Sequence, residues 1–140
     1  MKISMYDPNI TDRMRKELTD AGVQELRTPE EVDKALKNMA GTAMVVVNSV
    51  CGCAAGGARP GVVMSLKSPK RPEKIYTVFA GQDKEATEQA RTYFIGYPPS
   101  SPAVAILKDG KVVHMMPRHE IEGRSADEIA NSLAKAYEKI

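Results

Sequence analysis

The sequence predicts an α/β fold, a mixed sheet flanked by helices, on three observations. Residues 43–48 are a continuous apolar and β-branched run without alternation, the pattern of a strand buried on both faces. Two further strand-like runs, 103–107 and 112–116, flank Asp109-Gly110, a dipeptide that suits a tight antiparallel hairpin. Helix-start signals at Thr28 and Ser125 open apolar stripes at helical spacing.

Taken in order, Ile10, Met14, Leu18 and Ala21 predict a first helix over 10–21, stopped by Gly22. Thr28-Pro29-Glu30-Glu31 combines a capping hydroxyl, a proline at the first helical position and a glutamate three residues after the cap. The helix it opens carries Val32, Ala35, Leu36 and Met39 and ends near Gly41. Residues 43–48 then form the central strand. Ala54 to Lys67 read as a helix that starts at the cysteines and bends near Arg59-Pro60-Gly61, since an interior proline removes a donor and crowds the preceding turn. Residues 75–79 are a strand and 84–94 the helix after it, which extends the βαβ pattern. After the hairpin, Ser125-Ala126-Asp127-Glu128 caps a last helix whose buried stripe is Ile129, Leu133, Ala136 and Tyr137.

The chain has 140 residues, 42% of them hydrophobic and 27% charged, within the range of one domain spanning residues 1–140. A formal charge of +2 provides no basic field for a nucleic-acid backbone or an anionic membrane, so neither is an expected partner. Met1–Pro8 has no apolar core of secretory type, and no stretch approaches the roughly 18 apolar residues of a membrane span. These readings place the chain in the cytoplasm. There, a close cysteine pair points to catalysis, redox sensing or metal binding more than to a structural disulfide.

Both cysteines lie in Cys51-Gly52-Cys53, directly after the central strand. In open α/β sheets the carboxyl ends of the strands are where sites form. A thiolate at Cys51 can attack a disulfide in another molecule, and Cys53 is near enough to resolve the mixed disulfide. At a helix start, free backbone donors and the helix dipole favour thiolate, and Cys51 is the better placed of the two. The one-residue spacer implies a small, strained and easily reduced ring, for which Gly52 is suited.

These residues carry a resemblance. The strand running into a cysteine pair, the later proline before a strand, the Asp-Gly hairpin and the closing helix resemble the thioredoxin fold. Asn48-Ser49-Val50-Cys51-Gly52-Cys53-Ala54, Gly56-Gly57-Ala58-Arg59-Pro60-Gly61 and Gly96-Tyr97-Pro98-Pro99-Ser100-Ser101-Pro102 are similar to the bacilliredoxin family, over nearly the whole chain. The resemblance implies a thioredoxin-like mixed sheet and a cytosolic enzyme that removes bacillithiol from protein mixed disulfides. Cys51 is then the nucleophile and Cys53 the second thiol, with weak disulfide isomerase or reductase activity besides. Its partners are bacillithiolated client proteins and a low-molecular-weight thiol; bacillithiol is a co-substrate, and no bound cofactor is expected. It also makes Pro102 a cis-proline facing the cysteines, with the Ser101 backbone free to pair with substrate. The chain has no tryptophan, and Val50 stands where thioredoxins usually have an aromatic residue, so ordinary thioredoxin activity is not expected.

Arg59 lies about two turns from Cys51, and Lys67, Lys70, Arg71 and Lys74 form a basic stretch. Either group could attract the carboxylates of a low-molecular-weight thiol, although the lysines read first as a solvated surface loop; Arg59 is a substrate-binding candidate together with Gly52, Ser101 and Pro102. Gly56-Gly57 either admits a substrate backbone or lets the helix pack closely. His114 and His119 complete a notional zinc set with the cysteines, but their spacing fits no common finger, and no metal is expected. The eight methionines, with Met39, Met44 and Met64 on apolar faces, read as core filler. The alternatives are an iron–sulfur or metal carrier, which lacks a third thiolate unless a homodimer supplies one, and a non-catalytic redox-sensing module.

Overall fold

Strand β2, Thr42–Asn48, is the centre of the molecule. Its odd and even residues divide between two cores. Met44 and Val46 pack with Leu18, Val62, Ile129, Leu133 and Tyr137, whereas Ala43, Val45 and Val47 pack with Val32, Leu36, Val78, Ala86 and Ala90. Burial on both faces explains why the run shows no alternation. The structure, a computed structural model, describes residues 7–140. Most of the Met1–Pro8 segment read above therefore lies outside the described residues. Among those described, no helix is long and apolar enough to cross a membrane.

Around β2 lie α1 (Pro8–Thr19), β1 (Gln24–Glu25), α2 (Pro29–Leu36), α3 (Arg59–Ser65), β3 (Lys74–Phe79), α4 (Lys84–Arg91), β4 (Ala103–Lys108), β5 (Lys111–Met116) and α5 (Ala126–Tyr137). The five-stranded sheet runs β1-β3-β2-β4-β5. β2 pairs parallel with β3 and antiparallel with β4, and β4 and β5 form the antiparallel hairpin expected from Asp109-Gly110. Both turn residues have positive φ, 51° and 83°, which favours Asp and Gly there. The hydroxyl of Thr28 and the reciprocal Ser125–Glu128 pair cap their helices as expected.

The structure differs from the sequence reading in several places. α1 begins two residues early because Asp7 caps it ahead of Pro8. Its buried face is Thr11, Arg15 and Leu18, and Ile10 is exposed. The cause is Arg15, whose guanidinium bonds Glu25 at 2.6 Å and Asp83 at 2.7 Å and lies 5.0 Å from the Phe79 ring centre. A buried ion network has taken a place that periodicity assigns to apolar side chains. α2 stops at Leu36, ahead of the positive-φ residues Asn38 and Gly41. α4 stops at Arg91 rather than Phe94, and Met64 lies exposed on α3. β1, with only two residues, carries no periodic signal.

The bend after the cysteines lies earlier than expected. Residues Ala54–Ala58 form a widened π turn, in which the Arg59 N–H reaches back to the Ala54 carbonyl, and Arg59-Pro60-Gly61 sits in regular α3. The wider turn comes just ahead of Pro60, whose ring would otherwise crowd the carbonyl four residues back. Gly57 and Gly61 face α5: a Cβ on either would come within 2.9 Å and 2.7 Å of Ile129. Of the two roles read for Gly56-Gly57, Gly57 has the packing one.

Candidate active site

Cys51 starts the helical segment that β2 delivers. Its carbonyl accepts from the Ala54 and Ala55 N–H groups at 3.1 and 3.2 Å. Its thiol is half-buried beside Cys53, with the two sulfurs 2.7 Å apart and both cysteines free. Burial pushes the Cys51 thiol up. Hydrogen bonds from Cys53, from the Ser49 hydroxyl and from the backbone N–H groups of Ala54 and Cys53 outweigh burial, so the net shift is downward. Cys53 moves the other way, raised by burial and by its hydrogen bond to Cys51. Of the two thiols, Cys51 is therefore the one more readily ionised and Cys53 the one that holds its proton more tightly.

Ser49 is a member of the site that spacing did not single out. Its Oγ accepts from the Cys51 N–H at 3.2 Å, which leaves its own proton to donate to the Cys51 sulfur. A hydroxyl two residues before a cysteine is a local signal for this turn. Asn48 steadies Ser49, accepting from the Ser49 N–H at 2.8 Å and donating to the Met14 carbonyl.

Arg59 is not the surface cation expected beside the cysteines. It is 1% exposed, and its guanidinium donates to the Ser49 carbonyl at 2.6 Å, Asn48 Oδ1 at 3.0 Å and Glu17 at 3.0 Å. The side chain turns inward because the π turn puts it under the loop that carries Cys51. It anchors residues 48 and 49 and, being buried, presents almost no surface to a ligand.

The Ser101–Pro102 bond is cis, as anticipated, and Pro102 is buried. The next residue, Ala103, pairs with Val47, so this bond and the cysteine loop leave the sheet at the same end. The Ser101 carbonyl is not free, since Arg118 Nη1 donates to it at 3.2 Å. Arg118 is close enough for its charge to act on both sulfurs, and Glu122, its ion-pair partner, also acts on Cys53. Nothing in local spacing points to Arg118, which the fold brings in from the far side of the β4–β5 hairpin. Gly52 is exposed, with nothing within 4 Å of where its Cβ would be. Lys67, Lys70 and Arg71 follow the far end of α3. Among the described residues, no three His, Cys, Asp or Glu side chains form a metal-binding group.

The chain is similar to known proteins over nearly its whole length. A family profile described as disulphide isomerase matches residues 6–140. A bacilliredoxin of Cytophaga hutchinsonii is 54% identical over 97% of this chain and 100% of its own length. A second, from Geobacillus kaustophilus, is 51% identical over 96% of this chain and 93% of its length. Among solved structures, mitochondrial thioredoxin 3 of Saccharomyces cerevisiae aligns with a TM-score of 0.56 at 13% identity, covering 89% of this chain and 99% of its own. Fasciola hepatica thioredoxin aligns with the same TM-score at 18% identity, covering 84% and 98%. The fold is thioredoxin-like, and the chain belongs to the bacilliredoxin family of thiol-disulfide oxidoreductases.

Proposed function

We propose that the enzyme removes bacillithiol from cytosolic client proteins, with Cys51 as attacking thiolate and Cys53 as resolving thiol. The observation that carries this reading is the opposite direction of the two thiol shifts, which leaves one nucleophile and one proton-bearing neighbour. The printed name of the relatives, bacilliredoxin, supplies the choice of cap.

The chemistry follows from that division of labour. The Cys51 thiolate attacks the cap sulfur, an S–S bond forms between them, and the client leaves as a thiolate that takes a proton from water. Donors from Cys53, Ser49 and Ala54 favour the ionised form of Cys51 before the attack. Once Cys51 is in the mixed disulfide, Cys53 loses a proton to solvent and attacks Cys51, expelling the cap as a thiolate. The Cys51–Cys53 disulfide that results holds the oxidising equivalents, and two molecules of a thiol reductant return it to the dithiol.

Mass spectrometry of the Cys53→Ala chain after incubation with a bacillithiol-capped client tests this. Transfer of the cap to Cys51 is expected, with the client recovered as free thiol. Release of the cap as free thiol, with Cys51 in a mixed disulfide with the client itself, overturns the reading in favour of disulfide isomerisation.

A further inference from the structure

We infer that Arg118 and the groove beside it bind the carboxylate end of a low-molecular-weight thiol, holding the cap while its sulfur meets Cys51. The inference rests on the cap-removal reading above and adds the ligand chemistry of the site.

The groove has a volume of about 640 Å³ and lies between residues 97–101 and the segment from Met115 to Glu122. That is the size of small-molecule sites. Tyr97, Pro98, Pro99, Met115 and Pro117 supply its apolar surface, and the charged groups among the remaining six residues, Arg118 with Glu120 and Glu122, decide orientation. Ser101 lines it and leads directly into the cis bond, at the sheet end where the cysteines sit.

Arg118 is oriented before any ligand arrives. Its N–H donates to Ser100 Oγ at 2.7 Å, its Nη1 to the Ser101 carbonyl, and its Nε to Glu122. Among the described residues its Nη2 has no partner, and its side chain is 47% exposed. The Nη2 hydrogens of an oriented, planar cation therefore remain to donate to an anion, one at a time to a carboxylate oxygen. The other cations weighed for this role are placed elsewhere. Arg59 is buried with all its observed partners inside the protein. The lysines after Leu66 lie a helix length from Cys51, roughly 20 Å at 1.5 Å per residue. Glu120, Glu122 and His119 line the same groove, so a ligand carboxylate meets Arg118 with two protein carboxylates nearby.

The test measures transfer to Cys51 in the Cys53→Ala chain from one neutral peptide capped with 2-mercaptosuccinate, 2-mercaptoethanol or bacillithiol. The readout is the ratio of the mercaptosuccinate rate to the mercaptoethanol rate. Arg118→Gln is expected to lower that ratio about fivefold, as for a partly exposed charge pair, and Arg118→Lys to restore part of it. An unchanged ratio overturns the inference, even if both rates fall, because Arg118 would then serve only the loop or the thiolate. A mercaptoethanol-capped acidic peptide adds a second arm: loss confined to it would assign the carboxylate to the client and also overturn the inference. If the mercaptosuccinate ratio depends on Arg118 while the bacillithiol cap stays put, the anion site stands and the bacillithiol reading falls.

Discussion

Cys51 differs from Cys53 because of what surrounds each sulfur. Both thiols pay a desolvation penalty, but only Cys51 receives the Ser49 hydroxyl and the Ala54 N–H. Ser49 is buried and held by Arg59 through its carbonyl, so its hydroxyl has little freedom to turn elsewhere. In Ser49→Ala the Cys51 thiol is expected to titrate at higher pH, since one stabiliser of the charged form is gone. Alkylation of the Cys53→Ser background with iodoacetamide across pH reads this directly. The rate at neutral pH should fall severalfold and its midpoint move alkaline; an unmoved midpoint would show that the backbone donors alone sustain the thiolate. The cysteines were legible in the sequence because their chemistry is contained in three consecutive residues. Arg59 was misread because adjacency along a helix says nothing about which way a side chain turns. Arg118 was invisible because only the tertiary fold brings it to the sulfurs.

The helix that follows the cysteines is positioned by its neighbour α5. Gly57 and Gly61 let the two approach until Ile129 fills the space a Cβ would take, 2.9 Å from one and 2.7 Å from the other. Gly61→Ala is therefore expected to destabilise by about 1–3 kcal/mol through overpacking, seen as a lower urea midpoint. Ile129→Val added to it should recover part of the loss by shortening the opposing side chain. A single variant as stable as wild type would show that α3 slides at no cost. At this scale, capping is where the sequence was most legible: Thr28 and Ser125 act on donors within three residues. The limits of α1 and α2, and the π turn, were less so. They depend on Asp7 and Arg15, on Asn38, and on how Pro60 is accommodated by the turn ahead of it, all of which involve contacts or backbone geometry beyond a hydrophobic period.

The whole molecule is held by a sheet whose central strand serves two cores, and its mixed α/β class was legible because burial on both faces leaves a continuous apolar run in the sequence. The joints between layers were not legible, since they are polar contacts between distant residues. Tyr137 is one: its hydroxyl meets Ser65 Oγ at 2.7 Å and Met44 Sδ at 3.2 Å, tying α5 to α3 and β2. Burial pushes its phenol up to about 12, against smaller opposing effects from Ser65 and Arg71. In the unfolded chain a tyrosine ionises near 10. The folded state thus holds the proton more tightly, so this contribution is complete below about pH 10 and is lost as pH rises through about 12. The loss amounts to about 2–3 kcal/mol for a phenol this well buried. Tyr137→Phe removes the ionisation but keeps the ring, so its unfolding free energy should fall less steeply than that of wild type across this window, whatever the difference between them at pH 8. Denaturant titrations at pH 8, 10 and 11.5 measure both slopes; parallel slopes would mean that the buried phenol is not what alkali attacks first.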